Sequence, residues 1–289
     1  MKIIGVSGGL GNQMFQYAFY KAWEGIDESK LDITFFDRCK IHNGYELEEI
    51  FNIGNVKYAS RDDLKRLAAP DSIIYRILRK CRLGSSPASY VKEADYSFAP
   101  QKVMEITGDK YLDGCWQTEE YFKHKSDVIR KEFCFKDIIS DKNVSISYEM
   151  YETNSISIHV RRGDYLKYPH LYGNICSKQY YQKAIEYIKN HTYGNVKFYV
   201  FSDDIRWVKE NIFFEDSCIF IDWNIMGQSY IDMQLMSLCK HNIIANSSFS
   251  WWGAWLNKNP NKIVVAPDRW LFNGEIGDVV PNDWIKIFV

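Results

Sequence analysis

The sequence predicts an α/β protein made of two doubly wound domains that face each other across a cleft. Short apolar runs alternate with segments of helical periodicity along the 289 residues, which is typical of βαβ units and parallel sheets. A chain of this length can form two separate cores. The polar stretch at residues 136–154 lies near the middle and is the best candidate boundary. We therefore predict one domain over residues 1–148 and a second over residues 149–289.

The first half predicts three strands, several helices and a long loop. "KIIGVSG" is expected as the first strand, and "LDITFFD" as a second strand that ends at Asp37. Helical periodicity covers four segments, residues 12–24, 61–69, 72–83 and 126–135. Residues 85–101 are polar, contain two prolines and are expected as loop, and residues 109–122 as a short strand followed by a helix start.

The second half has a clearer alternation. Five apolar runs predict strands at residues 155–160, 196–202, 218–222, 242–246 and 262–267. Helical patterns fill most of the gaps, at residues 178–191, 203–212 and 229–241. Trp251, Trp252 and Trp255 have helical spacing, which favours a core position over a sugar-binding platform.

Composition excludes several functions. A net charge of -1 argues against non-specific nucleic-acid binding, which needs a basic face. The first residues do not form a secretory signal, and the sequence has no run of about 18 apolar residues that would span a membrane. The 7 cysteines are scattered without a CxxC pair, as in reduced thiols. These features predict a cytoplasmic protein, working in the cytoplasm or at the inner face of the membrane.

Ligands of parallel sheets bind beyond the carboxyl ends of the strands, and "HVRRGDY" follows a predicted strand there. Arg161 and Arg162 repel each other, so an anion is expected beside them, and arginine binds phosphate oxygens in a bidentate manner. Gly163 allows a sharp turn, and Asp164 could orient an arginine. The alternatives are a surface ion-pair loop or an Arg-Gly-Asp adhesion tripeptide. His159 is either a satisfied strand-end histidine or a ligand contact.

Two further clusters occupy equivalent positions. "GGLGNQ" follows the first strand, and its glycines would let the backbone approach a ligand; a plain glycine turn is the alternative. After the strand "NIIA", the residues Asn246, Ser247, Ser248 and Phe249 begin a helix whose N–H groups and hydroxyls could hold a diphosphate, with simple N-capping as the alternative.

The pair of aspartates in "FSDD" suggests a metal site at first sight. Adjacent aspartates point apart, however, and Asp203 or Asp204 could cap the following helix. Since two arginines are available to neutralise phosphate, we expect no metal and no other cofactor.

Taken together and in this order, "GGLGNQMFQYA", "YLDGCWQTEEYF", "HVRRGDY", "FSDD" and "NSSFSWWGAWL" resemble the bacterial α-1,2-fucosyltransferases of glycosyltransferase family 11. The resemblance extends over nearly the full chain. It implies a GT-B architecture and metal-independent transfer of L-fucose from GDP-L-fucose, with inversion, to the 2-hydroxyl of a terminal galactose. The partners would be this nucleotide sugar and a galactose-terminated glycan.

The resemblance also implies roles for individual residues. The residues 1–148 would hold the acceptor side and the GGLGNQ loop, and residues 149–289 would bind the donor, with the C-terminal end packing back on the first domain. Catalytic roles would fall on Arg161, Arg162, Asp164 and Asn12. Contacts with GDP-fucose would come from Gly11, Asn12, Gln13, His159, Arg161, Ser202, Asp232, Asn246, Ser247, Ser248 and Phe249, with Asp232 on guanine. Trp116 and Gln117 would face the acceptor, and Cys115 departs from the aromatic residue expected there.

Two rival functions remain open on the sequence alone. The first is a transferase of the same architecture that uses another GDP- or UDP-sugar. The second is a non-catalytic carbohydrate-binding protein.

Overall fold

A computed structural model describes residues 1–39, 43–67, 77, 88–93, 100–136, 140–163, 165–173, 175–272 and 277–288. The roles predicted for Asp164, and the helix predicted over residues 72–83 apart from Ile77, lie outside these ranges. The chain divides into two compact units, Met1–Cys134 and Phe135–Val289.

The first unit contains a four-stranded sheet with the order β2-β1-β4-β3, and every pair of neighbours is parallel. Its strands are β1 (Lys2–Gly5), β2 (Ser29–Asp32), β3 (Tyr90–Lys92) and β4 (Lys110–Asp113). The chain passes from β1 to β2 on one side, whereas β4 lies on the other side of β1. The carboxyl ends of β1 and β4 therefore flank a topological switch point, where ligands bind in open parallel sheets.

Helices cover this sheet and connect its strands. They are α1 (Leu10–Ala22), α2 (Phe35–Arg38), α3 (Leu47–Ile50), α4 (Arg61–Leu67), α5 (Pro100–Met104) and α6 (Ser126–Glu132), with 3₁₀ turns at Glu119–Tyr121 and Lys123–Lys125. Helix α1 is buried along almost its whole length, and Met14, Phe15, Ala18 and Phe19 are fully inaccessible to solvent. The helix predicted over residues 12–24 is thus confirmed, two residues earlier in the chain.

Two expectations for this unit are wrong. Strand β2 ends at Asp32 rather than Asp37, because the Asp32 carboxylate accepts a hydrogen bond from the Thr34 N–H at 2.9 Å and turns the chain into α2. The segment expected as loop contains β3, in which Val91 lies beside Leu112 of β4, and it ends in the first residues of α5. Pairing with β4, rather than local composition, makes residues 90–92 a strand.

The second unit contains a six-stranded parallel sheet with the order β10-β9-β8-β5-β6-β7. Its strands are β5 (Asn154–Val160), β6 (Val196–Ser202), β7 (Ser217–Ile221), β8 (His241–Ile243), β9 (Val264–Pro267) and β10 (Ile285–Ile287). The five predicted strands are confirmed, and β10 was missed. Chain order runs outward from β5 through β6 to β7, and then from β8 outward in the opposite direction, so the switch point lies between β5 and β8.

Helices pack on both faces of this sheet. They are α7 (Asp141–Glu152), α8 (Pro169–Tyr172), α9 (Lys178–His191), α10 (Ile205–Asn211), α11 (Tyr230–Leu238) and α12 (Ser248–Leu256), with 3₁₀ turns at Tyr165–Lys167 and Met226–Gln228. Successive residues of β6 alternate between two cores: Phe198 and Val200 pack in one, Tyr199 and Phe201 in the other. This alternation confirms the doubly wound arrangement. The tryptophans Trp251, Trp252 and Trp255 are buried in the core, as predicted.

The predicted domain boundary at 148/149 falls inside helix α7. Met150 of this helix packs with Tyr199 and Leu235 of the second unit. The division between the units instead lies just after Cys134. None of the helices in the described ranges is both long enough and apolar enough to cross a membrane.

Candidate functional site

The paired arginines lie at the switch point of the second sheet. Strand β5 ends at Val160, and its register with β6 places Val160 beside Ser202. The Arg161–Gly163 loop and the "FSDD" segment therefore leave neighbouring strands at the same edge. On the other side of β5, strand β8 leads to Asn246 and Ser247, so three of the predicted polar clusters converge on one edge of the sheet.

Asp203 fixes the backbone of the arginine loop. Its two carboxylate oxygens accept hydrogen bonds from the N–H groups of Arg162 at 2.8 Å and Gly163 at 3.0 Å. Its Oδ2 also lies 3.2 Å from Nη1 of Arg161. A Cβ atom at position 163 would lie 2.8 Å from this same oxygen, which explains the glycine. One carboxylate thus sets the loop conformation and pairs with the first arginine.

Asp204 holds the second arginine. Its Oδ2 lies 3.2 Å from Nε of Arg162, and its Oδ1 accepts a hydrogen bond from the Trp207 N–H at 3.0 Å, which caps helix α10. The Arg162 guanidinium also lies 3.9 Å from the centre of the Trp207 ring. The predicted capping role is therefore confirmed for Asp204, and both aspartates bind arginine. Within the described residues, no group of three His, Cys, Asp or Glu side chains is placed to hold a metal ion.

His159 is a buried neutral group next to this loop. It is 6% exposed, and its Nδ1 makes no hydrogen bond within the described part of the chain. Burial, and to a lesser extent the charge of Arg161, lower the pKa of His159 to about 3. Its ring lies 5.7 Å from that of Phe249, so these two predicted donor contacts are neighbours.

The Asn246–Phe249 segment forms the start of helix α12. The side chain of Asn246 is used internally: its amide donates to the Trp270 carbonyl at 3.0 Å and its oxygen accepts from the Cys176 thiol at 3.4 Å. Ser247 is the N-cap residue, but its hydroxyl makes no capping hydrogen bond in the described structure. The Ser247 side chain therefore does not cap the helix, so N-capping does not explain this serine. The N–H groups at the start of a helix favour an anion. Tyr165 ties the arginine loop to this segment, since its hydroxyl donates to the Asn246 carbonyl at 2.8 Å.

Asp232 of helix α11 is mostly buried, and no cationic side chain among the residues that the structure describes pairs with it. Its Oδ1 accepts a hydrogen bond from the side-chain amide of Asn224 at 2.8 Å. Burial raises the pKa of Asp232 to about 7, and the Asn224 hydrogen bond opposes this rise only in part. This carboxyl group consequently changes charge near neutral pH.

In the first unit, Gln16 joins the loops that follow β1 and β4. Its Oε1 accepts from the Ser7 N–H at 3.0 Å and its Nε2 donates to the Gly114 carbonyl at 2.9 Å. Gly8 in the first loop has φ +78°, and a Cβ there would lie 2.8 Å from Nδ2 of Asn12. The glycine is therefore required both by the turn and by the close approach of Asn12.

The predicted residues of these two loops contact each other. Nε2 of Gln117 donates to Oδ1 of Asn12 at 2.8 Å, across the switch point. Gln13 is fully buried: its amide donates to the carbonyls of Gly8 at 3.0 Å and Gly44 at 2.7 Å, and its oxygen accepts from the Glu46 N–H at 2.9 Å. Gly11 is buried beside it in α1.

Trp116 has an unusual backbone, with φ +54°. It is 1% exposed and stacks on Phe19, with ring centroids 4.4 Å apart. A single oxygen of Glu93 accepts from the N–H groups of Cys115 at 2.7 Å and Trp116 at 3.0 Å, which holds this conformation. Strain of this kind is found at functional sites, where the surrounding structure compensates for it.

Sequence reasoning missed five residues that organise these clusters: Gln16, Glu93, Asn143, Trp207 and Asn224. Trp207 carried a usable signal, because it stands three residues after Asp204, at the position whose N–H an N-cap side chain accepts. The others act through contacts between distant segments, for which the sequence contains no local pattern.

Comparisons with known proteins show that the chain is a glycosyltransferase. Residues 89–287 match the model of glycosyl transferase family 11. The chain therefore belongs to this family, as the motif resemblance predicted.

Two curated relatives match almost end to end. An α-1,2-colitosyltransferase of Escherichia coli is 36% identical, over 98% of this chain and 97% of the relative. The O-antigen biosynthesis glycosyltransferase WbnK of Escherichia coli is 30% identical, over 98% of this chain and 99% of the relative.

A solved structure supports the fold. The NodZ α-1,6-fucosyltransferase soaked with GDP-fucose has a TM-score of 0.52 and 16% identity, covering 88% of this chain and 91% of that chain. The GT-B-like α/β class predicted from the sequence is thus confirmed.

Asp203→Asn should lower glycosyl transfer at least about tenfold. The carboxylate now accepts hydrogen bonds from the N–H groups of Arg162 and Gly163, and in the variant an amide nitrogen would face one of these two donors. Steady-state kinetics with the transferred sugar as readout would measure the loss. Glu210→Gln is the matched control: Glu210 pairs with Arg206 on the exposed surface, 2.9 Å apart, and its loss should leave turnover unchanged. Equal activities for the two variants would contradict a role for Asp203 in holding the loop.

Proposed function

We propose that this glycosyltransferase moves L-fucose from GDP-L-fucose to the 2-hydroxyl of a terminal galactose in a glycan or glycan precursor. The observation that carries the proposal is the arginine loop held by Asp203 and Asp204 at a switch point that also receives the N-terminal start of α12. Two fixed cations and a helix start form a suitable cradle for a diphosphate. The α-1,2 transfer in the name of the colitosyltransferase relative supports the linkage.

In this reaction the acceptor oxygen attacks the anomeric carbon from the side opposite GDP. The bond between that carbon and the β-phosphate oxygen breaks, its electron pair remains on the phosphate, and the acceptor hydroxyl loses its proton. We assign Arg161, which Asp203 positions, to the β-phosphate, and we give Arg162, which pairs with Asp204 and packs on the Trp207 ring, a supporting role. Arg162 would then help to hold the loop. Fixed donors aimed at developing charge contribute about 10²–10³ in rate each.

The remaining donor contacts follow from the same edge of the sheet. Ser247, Ser248 and the α12 N–H groups would bind phosphate oxygens, and Asp232 would accept the N–H groups of guanine. Ser202, His159, Phe249 and Asn246 would line or support this region. Asn246 would act through the backbone, since its side chain is engaged by Trp270 and Cys176.

We place the acceptor at the switch point of the first unit. Asn12 and Gln117 would offer amide groups to sugar hydroxyls, as their direct hydrogen bond puts them side by side. Trp116, Gly11 and Gln13 are buried, so we assign them to shaping these loops rather than to direct contact. We also propose a catalytic role for Asp164, which kinetic measurements on a variant would test.

A second candidate function is colitosyl transfer, which the 36% identical relative favours. Colitose is L-fucose without its 3-hydroxyl, so the same diphosphate and guanine contacts would serve both donors. The thiols of Cys39, Cys134, Cys176, Cys218 and Cys239 fit a reducing compartment, and we infer a cytoplasmic enzyme.

The decisive experiment is an incubation of the purified protein with GDP-fucose or GDP-colitose, each with a panel of β-galactosides. Half of the reactions contain EDTA, because we expect transfer without a metal. A product with one added deoxyhexose on the galactose 2-hydroxyl supports the first function, and exclusive use of GDP-colitose supports the second. Loss of activity in EDTA that Mn²⁺ restores would contradict metal independence. Failure to bind either donor would overturn the whole assignment.

Arg161→Ala should reduce kcat by about 10² or more while the protein stays folded, because the β-phosphate loses its counter-charge. Compared with Arg161→Ala, Arg162→Ala should reduce kcat less and lower Tm more, since the Arg162 side chain also packs on Trp207. Kinetics together with thermal unfolding of both variants separate the two roles. Near-normal turnover in both variants would contradict the diphosphate clamp.

Donor affinity should rise between pH 6 and pH 8. The guanine N–H groups bind the ionised carboxylate of Asp232. Because the pKa of Asp232 is about 7, the fraction of protein molecules with this carboxylate ionised, and therefore able to bind the base, falls as the pH is lowered below 7. We expect roughly tenfold weaker binding at pH 6 than at pH 8. The intact GDP-sugar is the right probe, since its phosphates carry no second titrating proton near neutrality. Asp232→Asn should bind weakly with no such slope, and an identical slope in both proteins would contradict the assignment.

A further inference from the structure

We propose that Asn143 is a positioning residue for nucleobase recognition: through Asn224 it fixes the carboxylate of Asp232 in the orientation that selects guanine. This inference rests on the proposed function, in which Asp232 receives the base. Asn143 lies in helix α7, Asn224 in the segment after β7 and Asp232 in helix α11, so three separate elements converge.

The two asparagines form a reciprocal amide pair. Nδ2 of Asn143 donates to Oδ1 of Asn224 at 2.8 Å, and Nδ2 of Asn224 donates back to Oδ1 of Asn143 at 3.2 Å. The second N–H of Asn224 goes to Oδ1 of Asp232 at 2.8 Å. The asparagines are 1% and 8% exposed, so water cannot readily replace these bonds.

A tryptophan determines which way the pair points. The indole Nε1 of Trp223 donates to Oδ1 of Asn143 at 2.8 Å. If the Asn143 amide turned over, two N–H donors would face each other at this position. The Trp223 ring is itself covered by Lys142, whose Nζ lies 3.5 Å from the ring centre. The indole therefore fixes Asn143, and Asn143 fixes Asn224 as a donor to the carboxylate.

This series of hydrogen bonds leaves a defined part of the Asp232 carboxylate available to a ligand. Oδ1 is occupied by Asn224, whereas Oδ2 makes no hydrogen bond to any residue that the structure describes. A carboxylate can accept about four hydrogen bonds, so acceptor capacity remains on both oxygens. Guanine presents two donors on one edge, the ring N1–H and the 2-amino group. Hypoxanthine has the N1–H alone, so the second contact is what discriminates between the two bases.

The test compares the affinities of GDP and IDP for the intact chain by calorimetry. The wild type should prefer GDP by roughly ten- to a hundredfold, the usual worth of one hydrogen bond to a charged group. Asn143→Ala should reduce this preference to about threefold or less, because Asn224 loses its fixed orientation. Trp223→Phe removes the indole donor and keeps the ring, and it should reduce the preference by a smaller factor.

Asn257→Ala is the matched control for loss of a buried asparagine. Asn257 is 3% exposed and its amide bonds to the Cys239 carbonyl and to Asn242, in a network separate from Asp232. It should lower Tm by a similar amount and keep the GDP preference.

The outcomes separate the two levels of the argument. A wild type that binds GDP no better than IDP or ADP would overturn the nucleotide assignment itself. A wild type that discriminates, together with Asn143→Ala and Trp223→Phe variants that keep the full preference, would overturn the positioning role alone.

Discussion

The arrangement of the second unit depends on the pairing of two adjacent arginines with two adjacent aspartates at the ends of neighbouring parallel strands. Arg161 and Arg162 would repel each other in isolation, and the β5–β6 register brings Asp203 and Asp204 to the same edge. Because adjacent side chains point apart, each aspartate reaches a different arginine. The glycine at position 163 and the cap of α10 both follow from this pairing. The protein's own contacts thereby position the loop, as the proposed electrostatic stabilisation of a leaving group would require.

The two units use the same topological position with different chemistry. Each places its predicted residues at a switch point, β5 and β8 in one case and β1 and β4 in the other. Charged groups dominate the β5–β8 edge of the second unit. Neutral amides dominate the β1–β4 edge of the first unit, where Gln16 and the Asn12–Gln117 pair join the loops. Guanidinium groups suit phosphate, and neutral amides suit sugar hydroxyls, which is why we propose the donor at one edge and the acceptor at the other.

The sequence predicted well what depends on local pattern. Strand β6 and helix α9 begin and end at the predicted residues, because hydrophobic periodicity and capping signals act within a few positions. It predicted poorly what depends on distant partners. Strand β3 is made by β4, β10 by β9, and the strained Trp116 is held by Glu93, which lay in a segment expected as loop. The arginine loop was predicted from charge and position and the remaining site residues through the family resemblance, whereas Asn143 and Asn224 are neutral and are recognised only by their contacts with each other.

Asp232 differs from the other carboxylates of this edge in a way that bears on selection. Asp203 and Asp204 each have an arginine, so their charge is compensated in the protein itself. Within the described part of the chain, Asp232 is bound by the amide of Asn224 alone, and burial raises its pKa. A buried carboxylate without a cation destabilises the folded chain unless donors compensate for its lost hydration. The amide pair compensates in part, and a base with two N–H donors would supply the rest. In the proposed function, the unliganded protein would carry this cost and binding of the base would relieve it, so Asp232 would select the nucleotide, whereas the arginine loop would accept any diphosphate.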